Sequence, residues 1–164
     1  MIDTDALFRI GDSAEEAGNY DVARASFEQG ASLGDVICLT RLANLFDLGL
    51  GCETDKAAAM QLYRRAWRRG SEIAANNIAI LYREAGNSKA MFRWFKRAAD
   101  RGDESANLEL AKCYLRGIGV RRSWDLGIRR LAAAAAGPNL FEAEREEVLA
   151  LLAQFRPKLV ADKT

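Results

Sequence analysis

The chain has 164 residues, with 24 Lys and Arg against 23 Asp and Glu, so the formal net charge is +1. That length suits one domain burying roughly two-thirds of its unfolded surface without a disulfide or metal, and 49% hydrophobic with 29% charged residues excludes global disorder. There is no histidine, which excludes the Ser-His-Asp and Cys-His nucleophile arrangements, His-ligated zinc and two-histidine iron sites.

The N-terminus, Met1-Ile2-Asp3-Thr4-Asp5, is acidic and lacks the basic and apolar regions of a secretory leader, so a cytoplasmic location is expected. The first helix carries Ala6, Ile10, Gly11 and Ala14 at helical spacing and ends in the tight turn Ala17-Gly18-Asn19. A second helix carries Ala23, Phe27 and Gly30 and ends at Gly34. From there the pattern recurs. Four residues after Gly34, Gly70 and Gly102 stand Cys38, Ala74 and Ala106. Eight and nine residues on stand Leu42-Ala43, Ile78-Ala79 and Leu110-Ala111, and twelve on stand Phe46, Tyr82 and Tyr114. A second register begins at Ala23, Ala59, Met91 and Gly127, with Phe27, Tyr63, Phe95 and Leu131 four residues later. The copies lie 36, 32 and 36 residues apart, and no alternating run reads as a strand.

One helical hairpin cannot bury its apolar stripe alone, so the copies must stack. The expected fold is all-α: a right-handed α-solenoid of about four helix-turn-helix repeats, at about 3–33, 34–69, 70–101 and 102–137, plus a C-terminal capping helix at 140–155. Pro138 stops the alanine-rich helix before that cap. Residues 1–156 are thus expected to form a single domain, and 157–164, from Pro157, a flexible tail. No stretch is long and apolar enough to span a membrane.

Gly49-Leu50-Gly51 and Gly117-Ile118-Gly119-Val120, each three residues after an aromatic, resemble one half of the SEL-one-like repeat. Ala59 to Ala66 and Trp94 to Gly102 resemble its other half. The resemblance covers about residues 3–137 and departs at the fourth copy, where Gly127 and Pro138 replace Ala and Gly. It implies a tetratricopeptide-like solenoid that binds proteins, with its first helices lining a concave face. It also implies adaptor roles in bacterial signalling, envelope or virulence systems, or a small cytosolic immunity protein that neutralises a toxin. Members with disulfides bridge the two helices of a copy, a spacing that Cys38, Cys52 and Cys113 do not offer.

Divided at the copies, the +1 becomes a dipole. Residues 1–55 hold 11 acidic and 3 basic side chains (net −8), residues 56–130 hold 17 basic and 7 acidic (net +10), and residues 131–164 come to −1. An acidic surface on a partner protein is the expected match for the basic middle. The molecule is expected to be a monomer or a weak head-to-tail oligomer. Four columns of the first helices are free of the packing pattern: Phe8, Thr40, Asn76, Leu108; Asp12, Asn44, Ile80, Lys112; Glu15, Asp47, Arg83, Leu115; and Glu16, Leu48, Glu84, Arg116. They give a groove running from acidic to basic, with apolar steps for partner anchors and amides for backbone. Partner contact is expected at Phe8, Asp12, Glu15, Thr40, Asn44, Asp47, Asn76, Ile80, Arg83, Leu108, Lys112, Leu115 and Arg116. Reversing Arg83, Lys112 and Arg116 is expected to weaken binding without unfolding.

Catalysis finds little material. Cys38 and Cys113 occupy apolar columns, and Cys52 in its loop has no imidazole base. Asp12, Glu15 and Glu16 share a helix face but no closed cleft, and no calcium-loop or nucleotide-binding motif occurs. The expectation is a non-enzymatic protein-binding module without cofactor or metal. A basic helical repeat that binds nucleic acid is the runner-up, held back because Tyr63, Trp67, Trp94 and Phe95 fall in packing columns.

Overall fold

The computed structural model describes residues 3–161, the last four by backbone alone. Its helices are α1 (Thr4–Glu16), α2 (Tyr20–Ser32), α3 (Val36–Leu48), α4 (Lys56–Arg68), α5 (Glu72–Glu84), α6 (Ser88–Ala99), α7 (Glu104–Arg116), α8 (Trp124–Ala136) and α9 (Glu142–Ala161). Among the described residues no strand occurs.

The helix boundaries follow from short polar side chains in repeat register. Asp35 accepts from the Cys38 N–H at 2.7 Å and Asp103 from the Ala106 N–H at 2.7 Å, while the Ser71 hydroxyl accepts from the Ala74 N–H at 3.3 Å. Each satisfies an amide that the first turn leaves orphaned. The returns are also alike. The N–H groups of Asp35, Ser71 and Asp103 donate to the carbonyls of Gly30, Ala66 and Ala98, five residues back in each case, so each helix closes by the same left-handed C-terminal turn. The tight turns of the first and third copies do likewise, Asn19 to Ala14 and Asn87 to Tyr82.

The two longer loops, 49–55 and 117–123, share a second device. The Asp55 N–H reaches the Phe46 carbonyl at 2.8 Å and the Ser123 N–H the Tyr114 carbonyl at 2.9 Å. Gly119, at φ +70°, lies so close to the Ser88 carbonyl that a Cβ there would collide with it. Glycine is therefore required at this point twice over, for its torsion and for its lack of a side chain.

The chain divides into two compact units, Met1–Ile78 and Ala79–Thr164. In the first, α1 packs on α2, α2 on α3 and α3 on α4. In the second, α6 packs on α7, α7 on α8, and α9 on both α8 and α7. The large-residue column read from the sequence is the core: Phe27, Tyr63 and Leu131 are fully buried and Phe95 is 1% exposed. Ala43, Ala79 and Ala111 beside it are fully buried, which lets helices approach closely.

The C-terminal region departs from the other copies at its link and from expectation at its cap. Pro138 biases the residue before it to extended backbone, and Gly137 is extended (φ −80°, ψ 147°) rather than left-handed. The link into α9 is held instead by Glu104, whose carboxylate accepts from the Asn139 N–H at 2.6 Å and its side-chain amide at 3.3 Å. The cap expected at 140–155 is a helix from Glu142 to Ala161 that runs through Pro157. The expected tail at 157–164 is therefore helical to Ala161, and its residues 162–164 lie outside those described. Val148, Leu151 and Leu152 of α9 join Leu108, Leu115 and Leu131 in the core of the second unit.

None of the three thiols is in a disulfide. Burial first, then the Asp35 carboxylate, pushes Cys38 up to about 12. Burial first, then Glu109, pushes Cys113 up to about 11. At pH 8 a thiol reagent should titrate one group per chain rapidly, Cys52, and the other two only as the chain unfolds. Three fast thiols would contradict the packing. An unfolded thiol ionises near about 8.5, so the neutral buried thiols add stability that is intact below that pH. It falls as pH rises toward the folded values, and denaturation midpoints above pH 9 should decline.

Candidate functional site

The first helices of the copies are α1, α3, α5 and α7, and they carry every residue expected to touch a partner. In the first unit, Arg41 of α3 pairs with Asp12 of α1 and lies 3.5 Å from Glu15. The Glu15 Oε2 and the Arg41 Nε are buried with no hydrogen-bond partner. In the second unit, Arg83 of α5 pairs with Glu109 of α7, and Lys112 of α7 reaches Glu109 at 2.9 Å and Glu147 of α9 at 2.7 Å. Burial works against the Lys112 charge, but the carboxylates of Glu147 and Glu109 outweigh it and hold the ammonium above the usual lysine value. Arg83 also covers the Phe95 ring, 5.1 Å from its centroid.

These two bridges occupy equivalent repeat positions with the charges exchanged. Arg41 and Glu109 share one column, and Glu15 and Arg83 share another. The acidic-to-basic run is thus largely compensated between neighbouring helices, and much of it serves stacking. Reversing Arg83 or Lys112 would place like charges in this ladder, so those substitutions alter stability as well as any binding.

The remaining expected residues separate into groups. Phe8 is half-buried against Phe27, with ring centroids 6.4 Å apart. The Thr40 hydroxyl donates to the Val36 carbonyl at 2.8 Å and lies 3.2 Å from the Ser71 hydroxyl. Asn44, Asn76 and Ile80 are half-buried, and the Asn76 Oδ1 has no partner. Arg116 is exposed at the end of α7. Leu108 and Leu115, expected in the groove, are core residues at 1% and 3% exposure, because α8 and α9 close over α7. Asp47 is also buried, accepting from the Lys56 ammonium at 2.5 Å and the Tyr63 hydroxyl at 3.5 Å. Trp94, expected to be buried packing, is half-buried under Arg97, whose guanidinium is 4.3 Å from the ring centroid.

Arg83, Lys112 and Arg116 come together. They line an open cleft of about 350 Å³ in the second unit whose walls include Met91, Glu109 and Ile118. Two further clefts belong to the first unit. One, of about 330 Å³, lies where α3 and α5 begin, beside the exposed Ile37 and Ile73. The other, of about 590 Å³, runs along α4. Arg41, Glu109 and Glu147 do not stand out in single columns. The signal was available in pairs of columns, where Glu15 and Arg83 each face an opposite charge one copy on.

Three stretches of the chain, residues 36–71, 92–103 and 104–129, match the Sel1 repeat model. An F-box protein of Arabidopsis thaliana is 32% identical over 99 residues, 58% of this chain and 26% of that protein. A protective antigen of uropathogenic Escherichia coli strains, displaying an SLR fold, superposes with a TM-score of 0.73 at 25% identity, over 81% of this chain and 30% of that one. A Sel1 repeat protein from Oxalobacter formigenes superposes with a TM-score of 0.77 at 23% identity, over 92% and 61%. MamA protein shares the fold at a TM-score of 0.59 and 17% identity, over 90% and 86%. The chain thus spans about a quarter of the plant protein and under a third of the antigen.

Proposed function

Because the chain is a Sel1 repeat solenoid, we propose that it is a non-enzymatic module that binds a partner protein across the faces of its first helices. The observation that supports this best is the open cleft of the second unit, where Met91 and Ile118 give an apolar floor and Arg83, Lys112 and Arg116 bring cations to it. Such a surface fits an apolar anchor flanked by carboxylates on the partner. The catalytic alternatives have poor material: the buried thiols resist ionisation, and the clustered carboxylates are held by cations of neighbouring helices.

Arg116 gives the cleanest test, since it is exposed and stands outside the ion-pair ladder. A stoichiometric partner recovered by affinity capture should bind Arg116→Glu about tenfold more weakly, with a larger loss at low salt than at high salt. The melting temperature should be unchanged. Equal affinity for wild type and variant would remove the cleft from the interface. An activity assay on the captured partner then separates two finer roles. A partner silenced in the complex marks a toxin-neutralising protein, and one still active marks an adaptor.

A further inference from the structure

We propose that the cleft along α4 receives the start of α9 from a second copy of this chain, giving a head-to-tail contact separate from the partner-binding cleft of α5 to α7. The groove has an apolar floor, Leu42, Phe46 and Leu62, and is flanked by Arg64, Arg65 and Arg68. Its residues all belong to the first unit. At about 590 Å³ it is the roomiest of the three clefts and amply holds an aromatic side chain. Arg65 donates to the Ala31 carbonyl at 3.4 Å, which anchors one guanidinium at the groove. Arg68 is exposed.

The matching element lies in the second unit. Phe141 is 76% exposed, the largest exposure among the big apolar side chains of the described residues. It immediately precedes the first turn of α9, which carries Glu142 and Glu144, with Glu146 exposed one turn on. The Phe141 N–H donates to the Glu144 carboxylate at 3.2 Å, so the ring is presented on an ordered, capped turn. An aromatic anchor flanked by carboxylates is the chemical complement of an apolar floor flanked by arginines. Burying it removes an aromatic surface of about 150–250 Å² from water. Groove and anchor are distinct patches in separate units, so each copy offers one of each to a second copy. A single anchor with screened charges makes a weak contact that is sensitive to salt.

Sedimentation velocity of the full chain tests this directly. The sedimentation coefficient should rise with concentration at low salt and lose that dependence at about 0.5 M salt. Phe141→Ala and Arg68→Glu should each weaken association by about tenfold or more, with circular dichroism and melting unchanged because both side chains are exposed. The deciding sample is an equimolar mixture of the two variants. One retains a working groove and the other a working anchor, so the mixture should form a heterodimer that neither variant forms alone. A chain that stays monomeric at all concentrations in low salt would overturn the proposal, as would association indifferent to both substitutions. Loss of a captured heterologous partner with Arg68→Glu in an otherwise monomeric chain would also overturn it, assigning the groove to that partner. None of these outcomes touches the Arg116 test of the other cleft.

Discussion

Replacing Phe95 by Ala should lower the unfolding free energy by about 3–5 kcal/mol, the range for deleting a fully buried aromatic from a core that cannot collapse around the gap. Phe95 is 1% exposed and belongs to the column of large residues, with Phe27, Tyr63 and Leu131, that each hairpin drives into the interior. Its ring also lies 5.1 Å beneath the Arg83 guanidinium, so the substitution removes a cation–π contact along with the apolar area. Urea denaturation of the intact chain, followed by helical circular dichroism, measures the change. Phe141→Ala is the internal control: at 76% exposure it should shift stability by no more than about 0.5 kcal/mol. A Phe95→Ala cost below about 1 kcal/mol would mean that this column does not form the core.

The repeat register made this core legible before any coordinates. The column of Phe27 is buried in all four copies, and those of Cys38, Leu42 and Ala43 are buried in the second to fourth. In the first copy Ala6 is half-buried and Ile10 is 52% exposed, because among the described residues no hairpin precedes α1 to cover it. A register carries this information because packing within a hairpin depends only on residues in that hairpin and its neighbours. The partner face was less legible for the same reason. A column assigns one environment to all copies, yet the copies do not share one set of neighbours. Leu108 and Leu115 stand in the columns of Phe8 and Glu15, which are half-buried. They become core because the helix that follows their hairpin, α9, offers them Val148, Leu151 and Leu152, where α3 offers α1 the charged Arg41. Charge was harder still. Arg41 with Glu15, and Glu109 with Arg83, are pairs between columns and between copies, so single columns show a gradient where pairs of helices show compensation. The fourth copy departs locally, because Pro138 prevents the left-handed turn that ends the other copies.

The column of Glu15, Asp47, Arg83 and Leu115 leads to the second large effect. Asp47 is held by the ammonium of Lys56 and the hydroxyl of the fully buried Tyr63. Sixty-eight residues on, the same three repeat positions hold Leu115, Trp124 and Leu131, which share an apolar cluster. The two longer loops have the same length and the same closing hydrogen bond, so one backbone design is filled once by an ionic triad and once by apolar packing. Asp47→Leu alone should cost about 2–3 kcal/mol, because it takes a charged acceptor from a buried hydroxyl and from an ammonium. The figure sits below that for a fully buried pair, since the Lys56 side chain is 46% exposed and water screens part of the interaction. Adding Lys56→Trp and Tyr63→Leu completes the apolar set of the fourth copy. The triple variant should return to within about 1 kcal/mol of wild type, as expected when a buried ionic cluster is exchanged whole for packed hydrophobic residues. Denaturant midpoints of the single and triple variants decide the matter. Recovery in the triple shows that the two loops are interchangeable scaffolds and that Asp47 serves the fold of its own hairpin. A triple variant less stable than Asp47→Leu would show that the first unit requires the ionic set for reasons of its own packing, and that repeat equivalence does not extend to the loops.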